Sequence, residues 1–420
     1  MSLGPILIFD KSTLQSLNVD EACWLDNFYR ANITPLFFVE TLADLEKEVA
    51  RGRTPEEVVG NLAYKTPICG ALPNVHHASI GVADLLGQRV EIRGVPIIAG
   101  GIPLTTGDRR GVLYKQPPEM EALNRWQKGE FLYIERLFAK LWRRALTGLD
   151  LETSYYHFGR FFTGVGKPRQ FPDVKALVDQ LLRQDGRRYE MLRLACNLLG
   201  VSDGVGRRII ARWKAQGGPY IPDFAPYAAY VLSVDLFFFL SLAADLISRK
   251  RPSNKIDLAY LYYLPFCMVF ASNDKLHENT VPFFLRKDQT FVKGIELKAD
   301  LKNLDEYYSA LPEEIRAQGI MRFATYPPLE GDYLVSQLWD RFLPKWRAHT
   351  TQRIDMSKVK ENEIIERLRH FKEDMKEDEA ETPFNMGDAD QVILERHVPV
   401  RRGKWRLLPP EVENKGDLVN

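Results

Sequence analysis

The sequence predicts an α/β protein in which a parallel sheet is flanked by helices. Short apolar runs alternate with helical patterns at the start of the chain, and the alternation returns from about residue 226. Three of these runs are followed closely by a carboxylate, and ligands of parallel sheets bind outside the carboxyl ends of the strands. The chain has 420 residues, of which 45% are hydrophobic, so it can bury a substantial core.

The first fifty residues predict two strands and two helices. The apolar run "ILIF" predicts a strand that ends at Asp10, and "LNVDEACWLDNFYRAN" has apolar residues at helical spacing. The run "ITPLFFV" predicts a second strand, and Glu40 lies where it meets the next helix. That helix, "ETLADLEKEVARG", stops at a glycine, which is a common signal for a helix end.

The long apolar segment "YAAYVLSVDLFFFLSLAADLI" is the one stretch that could be mistaken for a membrane span. Its length would cross a bilayer, but Asp235 and Asp245 lie within it, and charges inside a span are costly. We therefore predict a helix buried in the protein and no contact with a membrane.

The segment that follows predicts a helix and two strands. "IDLAYLYYLPFCMVFASND" predicts a helix that Pro265 ends and then the strand "FCMVFAS", followed by Asp274. "TFVKGIELKADL" predicts one more strand. With these elements the chain divides into a first core part (1–50), a mainly helical insertion (51–225), a second core part (226–345) and a charged extension and tail (346–420).

Composition restricts the class of protein. With 57 basic and 56 acidic residues the net charge is only +1, so any site for a polyanion must be local. The four cysteines show no CxxC spacing, which argues against a disulfide framework and against a structural zinc site. The N-terminus lacks the pattern of a secretory signal. These features predict a cytoplasmic protein with reduced thiols.

Four acidic residues stand at comparable places in the predicted fold. Asp10 and Asp274 follow strands, and Glu40 and Asp257 lie at helix starts, so all four would face one crevice of a parallel sheet. Carboxylates that converge raise each other's pKa unless a cation neutralises them. Mg²⁺ prefers such oxygen ligands, so the set predicts a site for Mg²⁺ or Mn²⁺. Taken singly, each acid is more often a helix cap.

These acids resemble the motifs of the PIN-domain family of metal-dependent nucleases. The family begins with a strand that ends in Asp near a hydroxyl residue, here "IFDKS" with Ser12. It continues with a Glu at a helix start, here in "TPLFFVETLADL". It closes with "KIDLAYLYYLP" and "VFASNDK", where Ser272 stands in place of the usual Thr. The resemblance covers about residues 5–50 and 250–300, and the long segment between them departs from the family pattern.

The resemblance implies an endoribonuclease, which hydrolyses phosphodiester bonds and acts on RNA in preference to DNA. It implies that the four acids hold Mg²⁺ or Mn²⁺ ions that activate water. Ser12 and Ser272 would orient the metal ligands as hydrogen-bond donors, and Lys275 would touch a phosphate of the substrate.

Basic residues in the predicted insertion form a second candidate site. Arg207, Arg208 and Arg212 lie close together beside Trp213, and arginines next to an aromatic ring suit a phosphate backbone and an unstacked base. A solvated helix face explains the pattern equally well. The stretch "RRGKWR", from Arg401, is similar but falls in the predicted tail. A homo-oligomer or a protein partner is left open.

Two other functions remain as alternatives. A haloacid-dehalogenase-like phosphatase also begins with an apolar strand and Asp, but that family requires a second Asp two residues later, where this chain has Ser12. A catalytically inactive PIN-like protein that binds nucleic acid or supports an assembly would keep the fold without the chemistry. Stabilisation by Mg²⁺ would distinguish a nuclease with its metal site from this inactive protein.

Overall fold

A computed structural model describes residues 4–351, apart from 99–100, 107–108, 115–117, 149 and 164–165, together with 391–394 and 396–410. The architecture is α/β, as predicted: a five-stranded parallel sheet lies between layers of helices. The strands of this sheet are β1 (Ile6–Phe9), β2 (Arg30–Ile33), β3 (Leu72–Pro73), β6 (Val269–Ser272) and β7 (Thr290–Lys293). Their order is β3-β2-β1-β6-β7, and every neighbouring pair is parallel.

The remaining described strands form two small sheets. A hairpin of β4 (Gly101–Thr106) and β5 (Arg109–Tyr114) pairs with β8 (Gln391–Leu394). Near the end of the described chain, β9 (Arg401–Arg402) pairs antiparallel with β10 (Trp405–Arg406).

The helices fall into three runs along the chain. Those before the hairpin are α1 (Lys11–Ser16), α2 (Val19–Phe28), α3 (Pro35–Val49), α4 (Pro55–Lys65) and α5 (His77–Leu85). Those between the hairpin and the long apolar segment are α6 (Pro118–Gln127), α7 (Tyr133–Thr147), α8 (Leu151–Gly159), α9 (Phe171–Leu182), α10 (Arg188–Leu198), α11 (Asp203–Ala215) and α12 (Ile221–Phe224). The rest are α13 (Pro226–Ala243), α14 (Asn254–Ala259), α15 (Lys275–Thr280), α16 (Gly294–Ser309), α17 (Glu313–Arg316), α18 (Ile320–Phe323), α19 (Leu334–Phe342) and α20 (Trp346–Thr351).

Both faces of the central sheet are buried, which explains why its strands read as continuous apolar runs. Successive side chains of β1 point to opposite faces. Ile6 and Ile8 pack into a core that contains most of α13, whereas Leu7 and Phe9 pack into a second core with α2 and α16. β1 therefore lies at the centre of the molecule, and the residue that follows it is held by both layers.

The second predicted strand is displaced. The run "ITPLFFV" was expected to be extended, but β2 ends at Ile33 and α3 begins at Pro35. Thr34 has an extended backbone and precedes a proline at the first helical position, which favours a helix start there. Leu36 and Phe37 are buried because they face the core from a helix. A short apolar run alone does not distinguish these two structures.

The last predicted strand is shorter than expected. Of "TFVKGIELKADL", only Thr290–Lys293 is extended, as β7, and α16 begins at Gly294. Pro265 also acts differently from the prediction, because it lies inside a 3₁₀ segment, Tyr260–Phe266, that continues from α14.

The predicted insertion, residues 51–225, contains helices α4 to α12 and also contributes to the central sheet. Its strand β3 pairs with β2 through Asn32 and Leu72. Helix α4 packs in the same core as β1, through Val59 and Leu62. The part of the chain from 51 to 73 is therefore continuous with the sheet that the first fifty residues begin.

Helix α13 is the long apolar segment. Of the described helices, it is the one that is long and apolar enough to cross a membrane, and 83% of its 18 residues are buried inside the protein. Asp235 is buried within it and forms an ion pair with Lys255, while the Tyr262 hydroxyl donates to the same carboxylate. Burial on all sides with a paired acid is typical of a core helix.

The predicted tail is in part a fixed element of the fold. Residues 352–390, which hold most of the charge-dense stretch, lie outside the described residues. The "RRGKWR" stretch is exposed only in part. Arg401 and Lys404 are exposed, but Arg402 is 1% exposed, pairs with Asp26 at 3.2 Å and donates to the carbonyl oxygens of Tyr64 and Thr66. Trp405 is buried beside it. The segment thereby ties α2 to the end of α4.

Candidate functional site

The order of the central sheet reverses between β1 and β6. From β1 the chain proceeds through β2 and β3 on one side, and β6 and β7 lie on the other side. At such a switch point the connections leave in opposite directions and open a crevice outside the carboxyl ends of the strands. Asp10 follows β1 directly, and Asp274 lies two residues after β6, so both stand at this crevice.

Asp10 is buried and held by three hydrogen bonds. Its Oδ1 accepts from the backbone N–H of Thr13 at 2.8 Å, which caps the first turn of α1. Its Oδ2 lies 2.8 Å from the hydroxyl of Ser12 and 2.8 Å from the hydroxyl of Ser272. The second of these contacts joins the end of β1 to the end of β6. The carboxylate is thus both a helix cap and a fixed polar group at the crevice.

Asp274 caps α15 at the neighbouring strand end. Its Oδ1 accepts from the backbone N–H of Leu276 at 2.6 Å, and its own N–H donates to the Ser272 hydroxyl at 2.9 Å. Ser272 therefore contacts both strand-end acids. Lys275, predicted to meet a phosphate, is exposed at the first position of α15.

Glu40 reaches the crevice from α3, one turn further into the helix than its predicted place at a helix start. The Tyr260 hydroxyl donates to its Oε2 at 2.7 Å, and Lys11 Nζ lies 3.6 Å from its Oε1. Burial raises the pKa of Glu40, with Lys11 and the bond from Tyr260 opposing the change and the Asp10 charge adding to it. The charge of Asp10, at the end of β1, therefore acts on the Glu40 carboxylate.

Asp257, on α14, has a strongly raised pKa. Burial, and after it the charges of Asp274, Glu40 and Asp10, together raise its pKa to about 8 from an ordinary value of 3.8, while the charge of Arg251 opposes the change. All three of the other predicted acids contribute to this change. The four carboxylates, distant in sequence, therefore share one electrostatic environment at the crevice.

Lys11 is a residue of the site that the sequence analysis missed. Its side chain is 8% exposed, and its ammonium group forms an ion pair with Asp44 and lies 3.6 Å from Oε1 of Glu40. Burial would raise the pKa of Asp44, but Lys11 and then Lys47 hold it below its usual value. Lysine is seldom buried, so nothing in the sequence except its position next to Asp10 indicated that Lys11 belongs to the site. It offsets part of the negative charge that accumulates at the crevice.

His277 is the second residue that was missed. It is 1% exposed, and its two ring nitrogens contact different segments. Nε2 lies 2.5 Å from the backbone carbonyl oxygen of Asp257, and Nδ1 lies 2.7 Å from the Ser272 hydroxyl. Because a carbonyl oxygen only accepts, Nε2 carries a hydrogen. The one available signal was a histidine three residues after Asp274, which is too common a pattern to single out.

The arginines of α11 have different environments. Arg207 and Arg208 are exposed. Arg212 is not a free cation on the same face, because its Nη1 donates to the Leu85 carbonyl at 2.9 Å and its guanidinium group covers the Phe224 ring at 4.3 Å. Of the three predicted arginines, Arg207 and Arg208 are therefore exposed charges, whereas Arg212 is tied to the fold.

The donor chemistry of the crevice suits a hard cation, although the carboxylates are not gathered around a common point. Four carboxylates within one electrostatic environment match the oxygen ligands of Mg²⁺ or Mn²⁺. Within the described ranges, however, no group of three or more His, Cys, Asp or Glu side chains lies close enough together to hold an ion. Asp10 and Asp274 are turned toward the helix N–H groups that they cap.

Comparison of the chain with protein-family models, with curated proteins and with solved structures gives no match.

Proposed function

We propose that the protein is a metal-dependent nuclease of the PIN-like type, which hydrolyses phosphodiester bonds and acts on RNA in preference to DNA. The observation that supports this most is the pKa of Asp257, which burial and the charges of Asp274, Glu40 and Asp10 raise to about 8. Acids with strongly raised pKa values in a crevice are candidates for a functional site. The preference for RNA rests on the resemblance to the PIN-domain motifs.

Asp10, Glu40, Asp257 and Asp274 would hold Mg²⁺ or Mn²⁺ at this crevice. Such an ion, when bound, lowers the pKa of water and stabilises charge on phosphate oxygens. The excess of negative charge is what makes the set suited to a cation, because Lys11 neutralises only part of it. Asp257 would have to give up its proton for its oxygens to act as ligands of such an ion.

The other residues of the crevice orient the carboxylates and meet the substrate. Ser12 and Ser272 fix Oδ2 of Asp10, and Tyr260 fixes Oε2 of Glu40. Lys275 is exposed beside Asp274 and would contact a phosphate of the substrate. Arg207 and Arg208 offer an exposed pair of charges for the phosphate backbone.

A second candidate is a catalytically inactive protein of the same fold that binds nucleic acid. It is favoured by the capping bonds of Asp10 and Asp274, which use these carboxylates as structural groups. The two candidates differ in their need for metal. A nuclease requires an ion for cleavage, whereas a binding protein keeps its affinity for nucleic acid in the presence of a chelator.

A cleavage assay tests the proposal. The protein is incubated with single-stranded RNA, duplex RNA and DNA, each with Mn²⁺ or with EDTA. Cleavage of RNA with Mn²⁺ and its loss in EDTA are expected. Asp274→Asn, which keeps the helix cap, should abolish cleavage. The matched control is Asp288→Asn, because Asp288 precedes β7 and therefore lies at the amino-terminal end of the strands, away from the crevice. Binding without cleavage under all conditions supports the second candidate.

A further inference from the structure

The four carboxylates belong to four separate segments, and the crevice exists only if these segments keep their spacing. Asp10 follows β1, Asp274 begins α15, Asp257 lies on α14 and Glu40 lies on α3. Carboxylates that converge repel one another, and this repulsion opposes the spacing. Groups without negative charge must therefore hold the segments together.

His277 joins three of these segments. It belongs to α15, and its Nδ1 lies 2.7 Å from the Ser272 hydroxyl, which in turn lies 2.8 Å from Asp10 Oδ2. Its Nε2 lies 2.5 Å from the carbonyl oxygen of Asp257 on α14. A single rigid ring thus spans the gap between the strand ends and the helix that carries Asp257.

The surroundings of the imidazole ring fix its orientation. The Phe270 ring lies edge-on with its centroid 5.1 Å away, and the Tyr260 ring does so at 5.9 Å. Tyr260 also donates to Glu40, which belongs to the fourth segment. The ring is fully enclosed, so it is not positioned to contact a substrate. Its role is to place other residues.

We propose that His277 is the positioning residue of the crevice, and that it sets the distance between Asp257 and the strand-end acids Asp10 and Asp274. The inference rests on the proposed function, because the spacing matters only if the acids share a cation. Both ends of the ring are needed: one end holds Ser272 and the other holds the backbone of α14. Outer groups that orient metal ligands commonly change metal affinity by about 10- to 100-fold when they are replaced.

Two isosteric variants separate the two ends. His277→Asn keeps a polar atom near the position of Nδ1 and loses the contact with Asp257, whereas His277→Gln keeps a donor near the position of Nε2 and loses the contact with Ser272. We expect each variant to raise the dissociation constant for Mn²⁺ by about tenfold or more. In the metal-free protein, hydrogen exchange in α14 should rise in His277→Asn and stay near the wild-type rate in His277→Gln.

The control is Gln289→Leu, which removes two buried hydrogen bonds to the Leu264 and Cys267 carbonyls. These groups lie at the amino-terminal end of the strands, away from the crevice. It should lower the melting temperature without changing the Mn²⁺ dissociation constant. If either His277 variant binds Mn²⁺ as tightly as the wild type, or if α14 exchanges equally in both, His277 is only a packing residue. If the wild type binds no Mn²⁺, the proposed function fails, and the exchange rates of α14 still decide whether His277 holds that helix.

Discussion

The Tyr260 hydroxyl donates a 2.7 Å hydrogen bond to Oε2 of Glu40 and so connects the 3₁₀ segment behind Asp257 to helix α3. Tyr260 is fully buried, which means that water does not replace the bond if it is lost. The bond links α3, which carries Glu40, to the segment that continues from α14, which carries Asp257. The pattern of acids in the sequence did not reveal Tyr260 as a donor.

Tyr260→Phe should weaken the site with little change in shape. The variant removes the donor from Glu40 Oε2 and should lower the free energy of unfolding by about 1–2 kcal/mol. It should also weaken Mn²⁺ binding, because the carboxylate loses the group that orients it. Chemical denaturation and a Mn²⁺ titration on the same protein check both effects. The control Tyr64→Phe alters a tyrosine that is 41% exposed and should change neither quantity.

The raised pKa of Asp257 predicts how stability depends on pH. The folded protein keeps this proton up to about pH 8, whereas the unfolded chain releases it near 3.8. Between these values the folded state keeps a proton at Asp257 that the unfolded chain has released, so the contribution of this group to stability without metal is fully present at low pH and is lost as the pH rises toward 8. The slope is at most about 1.4 kcal/mol per pH unit. Glu40, whose pKa is also raised, acts in the same direction.

Denaturation of the EDTA-treated protein at pH values from 5 to 8 measures this slope. Asp257→Asn should flatten it, because the variant has no proton to release. Apparent Mn²⁺ affinity should rise over the same range in the wild type, because the ion competes with that proton. A wild-type slope that persists unchanged in Asp257→Asn would assign the proton uptake to another group.

Lys11→Met should destabilise the metal-free protein by about 1–3 kcal/mol, because Asp44 and Glu40 would lose a buried cation. The matched control is Lys47→Met, since Lys47 also pairs with Asp44 but is 46% exposed. An exposed pair of this kind contributes about 0–1 kcal/mol. Mn²⁺ should restore more stability to Lys11→Met than to the wild type. Equal effects of the two substitutions would show that Lys11 is an ordinary surface charge.

The exposed arginines of α11 should contribute to binding of nucleic acid through charge alone. Arg207→Ala with Arg208→Ala should weaken binding to single-stranded RNA and reduce the slope of affinity against salt by about 0.7 for each lost phosphate contact. The double variant Arg183→Ala, Arg187→Ala removes the same charge from arginines that already pair with Asp223 and Glu190. A salt slope that is the same in all three proteins would make Arg207 and Arg208 part of a solvated face.

The sequence predicted the parts of the fold in which local and tertiary signals agree. Strands β1 and β6 are apolar runs followed by polar residues; β1 lies where it was expected, and β6 ends at the predicted residue but begins only at Val269. The boundary of β2 was wrong because Thr34 and Pro35 start a helix inside an apolar run. Strand β3 has only two residues and lies in the predicted insertion, where a run of that length gives no periodicity.

The acids of the candidate site were predicted from the sequence, but the residues that contact them, Lys11 and His277, were not. Four carboxylates at strand and helix ends form a recognisable pattern, and the charges of Asp10, Glu40 and Asp274 all act on Asp257. Lys11 and His277 are buried only because tertiary packing encloses them, and nothing local in the sequence distinguishes a buried lysine or histidine from an exposed one. The same reason explains Arg402, which belongs to a basic stretch and yet is buried against Asp26.

The most direct measurement is a calorimetric titration of Mn²⁺ into the metal-free protein near pH 8, with the wild type beside Asp10→Asn. Asparagine keeps the cap of α1, so the variant should melt close to the wild-type temperature without metal. If the four carboxylates hold a cation, the wild type should bind Mn²⁺ and the variant should bind it at least about tenfold more weakly. A wild type that binds no Mn²⁺, or an affinity that is unchanged in Asp10→Asn, would contradict the assignment of this crevice as a metal centre.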